Sequence, residues 1–207
     1  MSWHVYTAVA ASELATASAR GATGQPAEAA AASGGREQWL ALHGIDDAPV
    51  RLLPAGAVAL AASEHATAPA PTAASLMAHA RVAMQLGGVP FRFGAGAPSP
   101  HELQAQVASR AAALAQQLDV VGDCLEMVVR LPRAQEDRSS GKAYLSAKKR
   151  AAEATETLER RLAPAVRDYK QLGGRLLCLV PRERLSDFQR LAEDEDVSGP
   201  WPPSSFV

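Results

Sequence analysis

The sequence predicts an α+β fold, and three observations carry that reading. Short runs rich in β-branched and aromatic residues, bounded by glycine and proline, alternate with longer stretches whose apolar residues recur at helical spacing. The helical stretches carry start and stop signals at their ends. The 207 residues are 47% apolar, enough for one large core or two small ones. Punctuation-rich GAGAPSP near 97–99 marks a boundary, giving two small α+β domains, 1–98 and 99–207.

Trp3 to Ala10, WHVYTAVA, alternates bulky and polar residues and reads as the first strand. From Ser18 to Gly35 the composition falls to small residues without periodicity, which reads as an Ala/Gly-rich loop or insertion. WLALHGIDDAP reads as a short helical or strand piece ending in a turn at Asp46–Pro49. Val50–Leu53 and Gly56–Ala62 are two short strands joined at Pro54–Ala55. Thr72 caps a helix in which Leu76, His79, Ala80, Ala83 and Leu86 share one face, and Gly87–Gly88 stops it. VPFRF, Val89 to Phe93, is a strand with proline at its second position, which suits a strand start or an edge.

Ser99 and Pro100 then open a helix with Leu103, Val107, Ala111, Leu114 and Leu118 on one face. LEMVVRL, Leu125 to Leu131, is a strand, and Gln135–Gly141 is a polar loop. A long charged helix starts near Lys142 and runs to Ala163, with a kink or restart at Pro164 and an end at Gly173–Gly174. RLLCLV, Arg175 to Val180, is the strongest buried-strand candidate. A last helix follows Pro181 with Leu185, Phe188 and Leu191 inward. Helix, strand, helix, strand, helix and tail follow in that order, which is the ferredoxin-like kind of α+β arrangement.

Composition excludes several functions. A formal net charge of −1 supplies no field for nucleic acid or an anionic membrane. No apolar run approaches the roughly 18–20 residues of a span, and the N-terminal MSWHVYTAVA lacks the features of a secretion signal. Cys124 and Cys178 sit inside apolar runs and read as buried reduced thiols of a cytoplasmic protein.

No catalytic or cofactor motif is complete. FGAGAPSP has Ser99 where a dinucleotide fingerprint needs its third glycine. SSGKA ends in Ala143 where a phosphate loop needs Ser or Thr, and Glu136 and Asp137 would repel phosphate. None of the five histidines pairs with another at helical spacing, so no helical metal site is expected, and His79 reads as a hydrogen-bonded structural histidine. No enzyme, cofactor or metal is expected.

The chain ends in VSGPWPPSSFV. Pro200, Pro202 and Pro203 lack an N–H, so the segment is expected to run polyproline-like rather than in a ladder. Trp201 alone could remove roughly 150–250 Å² from water, worth at most about 4–6 kcal/mol. The tail either folds back on its own domain or offers an aromatic patch to a partner.

Four stretches carry a family resemblance. GPWPPSSFV at 199–207, VYTAVA near the start, HARVAMQLGGVPFRFGAGAPS at 79–99 and GKAYLSAKK at 141–149 resemble, in order and spacing, the GvpL/GvpF family of gas vesicle accessory proteins. VPFRFG stands where the family commonly has Leu-Pro-Val-Arg-Phe-Gly, Ser204 stands where an aromatic is common, and the stretch 18–35 has no counterpart. The resemblance implies two α+β domains, the second a modified ferredoxin-like one. It also implies a cytoplasmic protein associated with gas vesicles, the hollow buoyancy shells. Its partners would be the very hydrophobic shell protein and other accessory proteins. The expected contact residues are Trp201 and Phe206 in the tail, Tyr144 on the long helix, and Arg92 beside a glycine turn. For Arg92, pairing with an internal carboxylate is the competing expectation. The rival functions are a minor structural component of the shell and a small-molecule-binding or enzymatic ferredoxin-like domain.

Overall fold

The structure, a computed structural model, describes residues 1–12, 38–131 and 140–207. The predicted insertion at 18–35 and most of the polar loop at 135–141 lie outside the described residues. The chain divides into two compact units, Met1–Asp123 with Pro202–Val207, and Cys124–Trp201. The division therefore falls at 123/124 rather than at 98/99, because the helical segment after Pro100 packs on the first sheet. The terminal segment likewise splits, with Trp201 in the second unit and residues 202–207 in the first.

In the first unit, β1 (Ser2–Ala10), β2 (Gln38–His43), β3 (Pro49–Ala55) and β4 (Val58–His65) form an antiparallel sheet in the order β2-β3-β4-β1. The short strands β5 (Val89–Pro90) and β6 (Gly96–Ala97) pair with the free side of β1. VPFRF is thus a two-residue strand and then turns. Between β3 and β4 the hairpin turns at Gly56–Ala57, just past the predicted Pro54–Ala55.

Helix α1 (Ala73–Leu86) begins at a capping box: Ser75 N–H donates to the Thr72 hydroxyl at 3.1 Å and Thr72 N–H to the Ser75 hydroxyl at 2.9 Å. It packs on β1 through His79, Val82 and Ala83, while Leu76, expected inward, is 44% exposed. Helix termination needs glycine here. Gly88 has φ +87°, and a Cβ there would lie 2.0 Å from the Ala8 carbonyl oxygen. The predicted single helix after Pro100 is two, α2 (Pro100–Ala108) and α3 (Ala111–Val121), with Ser99 capping the first. They pack on β3 and on β1 and β4, respectively. β1 and β4 are buried along nearly their whole lengths, so both faces of this sheet are covered and the period-2 signal is muted.

In the second unit, β7 (Cys124–Arg130), α4 (Gly141–Leu162), β8 (Asp168–Leu172), β9 (Arg175–Pro181), α5 (Leu185–Leu191) and β10 (Val197–Trp201) follow in sequence. Their sheet is antiparallel in the order β10-β7-β9-β8, the ferredoxin-like arrangement. Leu158 and Leu162 of α4 and Phe188 of α5 pack on Met127, Val129, Leu176, Cys178 and Val180, alternate residues of one sheet face. Cys124 and Cys178 are both buried as thiols, and burial pushes Cys178 up to about 12.

Two strands differ from expectation. β8 occupies part of the stretch read as helix up to Gly173. Helix α4 stops at Leu162, and Gly173–Gly174, with φ of +56° and +74°, form a hairpin turn into β9. β10 forms despite its proline. Val197 and Ser198 pair with Val129 and Val128, the register then shifts, and Trp201 pairs with Glu126. Pro200 sits in that bulge on an edge strand, where no ladder donor is required of it.

Candidate docking groove and exposed aromatics

A buried polar network inside the first unit fixes the segment that carries Arg92. The His79 Nε2 donates to the Phe91 carbonyl at 2.9 Å, since a carbonyl can only accept. Its Nδ1, neutral, then accepts from His4 Nε2–H at 2.9 Å. Alongside, the Tyr6 hydroxyl accepts from Ile45 N–H at 3.0 Å and joins Ser63 at 2.6 Å, which joins His65 at 2.7 Å. Burial holds all three histidines below their ordinary range, His4 down to about 4 with the neighbouring His79 and His65 adding to the effect. Among the described residues no buried side-chain nitrogen or oxygen lacks a partner. His79 is the structural, hydrogen-bonded histidine the sequence suggested; its partner His4, 75 residues away, was not foreseeable from spacing.

Main-chain bonds complete the anchoring. Phe91 N–H donates to Tyr6 O at 2.9 Å, and Val5 N–H donates to Ala95 O at 3.0 Å. Ala95 N–H closes a turn on Arg92 O at 3.1 Å, with Gly94 at φ +86° in its third position. That is the geometry of a type II turn and explains the glycine of Arg-Phe-Gly.

This anchored segment forms one wall of a groove of about 540 Å³. Arg110, the N-cap of α3, and Leu114 and Gln117 of that helix line it too, at helical spacing, as do Ser204 and Val207. Pro203 is buried and Phe206 half-buried in the 3-10 turn Ser204–Phe206, so the tail is built into the first unit. Arg92 and Arg110 are both exposed, and no carboxylate among the described residues pairs with either. Among the described residues, then, no internal carboxylate is the partner of Arg92.

The other predicted contact residues, Trp201 and Tyr144, belong to the second unit. Trp201, 39% exposed, lies on β10 opposite Glu126, and Tyr144, 44% exposed, lies on the first turn of α4 with Lys148 Nζ 6.0 Å from its ring centroid. Arg110, Gln117 and Leu114 were not singled out in the sequence, because Leu114 reads only as part of an apolar helix face and Arg110 and Gln117 lie off that face. Trp39, 56% exposed with the Arg51 guanidinium 3.7 Å from its ring, was missed as well. It borders a smaller hollow of about 260 Å³ in which Arg51 already has Glu64 at 4.0 Å. Among the described residues no group of three metal-ligating side chains occurs, and no helix is long and apolar enough to cross a membrane.

The fold, a ferredoxin-like unit following a mixed α+β unit, is similar to that of solved gas vesicle proteins. The crystal structure of gas vesicle protein GvpF from Anabaena sp. PCC7120 superimposes with a TM-score of 0.64 at 14% identity, covering 99% of this chain and 95% of that one. That of GvpF from Microcystis aeruginosa gives 0.63 at 11% identity, covering 99% and 98%. At such identities the likeness establishes the fold. The family described as gas vesicle synthesis protein GvpL/GvpF matches residues 3–207, and the chain belongs to that family. Its role is accordingly a gas vesicle-related one. No curated protein matches this chain.

Proposed function

We propose that this protein binds the hydrophobic gas vesicle shell protein and assists vesicle assembly in the cytoplasm, without covalent chemistry. A subunit with large apolar faces aggregates unless they are covered before assembly. A helper needs an apolar surface with a polar rim, and it must release its client. The observation that carries the reading is the open groove, with its apolar lining of Val89, Phe91 and Leu114, in a chain that belongs to a gas vesicle synthesis family. Trp201, Phe206 and Tyr144 add partly exposed aromatic surface.

Capture of shell protein by the purified wild-type chain and by Trp201→Ala tests this. Wild type is expected to retain shell protein and Trp201→Ala to retain less, with unchanged circular dichroism. Failure of the wild type to retain any would overturn the proposal. Recovery of the protein in thoroughly washed vesicles would instead favour a minor structural component of the shell.

A further inference from the structure

We propose that the groove takes an apolar segment of the shell protein that also carries a carboxylate, received by Arg92 and Arg110. This rests on the function proposed above and adds where the partner docks and what it must present.

Three features of the groove lead there. Its lining includes the buried apolar residues Val89 and Leu114 and the half-buried Pro90 and Phe91. Its volume of about 540 Å³ fits a few side chains rather than a whole helix face. Its lining includes two guanidinium groups, Arg92 and Arg110, and no Asp or Glu side chain.

Neither Arg92 nor Arg110 has an acid within salt-bridge distance among the described residues, whereas Arg130 has Asp196 at 3.1 Å and Arg190 has Asp187 at 2.9 Å. The two groove arginines thus form a local donor pair in a chain whose net charge is −1. A guanidinium presents a planar fork that matches a carboxylate, and an apolar lining beside it excludes water and strengthens that contact. A nucleic acid or an anionic bilayer would need a broad basic field and would leave the apolar lining unused. The wall bearing Arg92 is held by the Phe91 and Ala95 main-chain bonds and by His79. Little ordering is then required when a segment docks.

The test compares capture of shell protein, kept soluble as a fusion, by the wild-type chain, Arg92→Glu/Arg110→Glu, Arg92→Lys/Arg110→Lys and Arg150→Glu, at low and high salt. All four arms are checked by thermal unfolding; the changed side chains are exposed and the melting temperatures should agree. The glutamate pair is expected to weaken capture about tenfold or more in low salt, the lysine pair to fall between it and wild type because it keeps the charge and loses the fork, and Arg150→Glu to behave as wild type. High salt should weaken wild-type capture and raise that of the glutamate pair, so that the two converge. Equal capture by wild type and the glutamate pair would overturn the groove assignment while leaving the shell-binding function standing. No capture by wild type would overturn that function itself, and the assignment with it. Binding of wild type, and not of the glutamate pair, to phosphatidylglycerol vesicles would reassign the groove to a lipid headgroup and overturn the proposal.

Discussion

Lowering the pH from 7.5 to 5.0 drives protons toward the buried histidines that anchor the Arg92 segment. His4 is 2% exposed, and the fold holds it at about 4 against an ordinary 6.5, chiefly through burial and secondarily through His79 and His65. The unfolded chain therefore binds more protons than the folded one between these values. Stability from the neutral imidazole is complete above pH 6.5 and is lost as the pH falls toward 4. A gap of 2.5 units corresponds to about 3 kcal/mol in full, and about 2 kcal/mol of it is lost by pH 5.0. His65 and His79 are lowered in the same direction and add to the loss, with Asp46 opposing it at His65. Urea unfolding followed by tryptophan fluorescence reads this, because Trp3 and Trp39 both lie in the first unit. The midpoint should fall by about 1 M between pH 7.5 and 5.0, and the fall should be clearly smaller in His4→Gln. An unchanged midpoint, or an equal fall in the variant, would refute the assignment of buried neutral histidines.

Two structural predictions complete the set. Phe188→Ala opens a cavity in the core of the second unit, where Phe188 is fully buried, and should cost about 3–5 kcal/mol in denaturant unfolding. Gly88→Ala places a Cβ against the Ala8 carbonyl at a positive φ. It should destabilise the first unit by at least about 2 kcal/mol and be visible as a lowered melting temperature.

Legibility in the sequence followed the range of the interaction that decides each feature. RLLCLV reads as a buried strand because β9 is covered along most of its length. Thr72 and Ser99 read as helix caps because the groups they satisfy lie three residues away. DYKQL of β8 did not read as a strand, since all five of its residues are exposed and edge pairing leaves no alternation behind. Proline in VSGPW argued against a ladder, and only the register shift against β7 accommodates it. The break between α2 and α3 left the apolar stripe Leu103, Val107, Ala111, Leu114 intact, so spacing could not reveal it.

By itself the sequence determined the α+β class, the helix caps, the buried strand β9, and the ordered motifs that resemble one family. Tertiary structure alone decided that His4 meets His79, that Arg92 and Arg110 face one groove, and that residues 202–207 join the first unit. Local periodicity and capping are written within one or two turns of chain. Convergence of residues far apart in sequence depends on which sheet face each element packs against, and no short stretch of sequence encodes that.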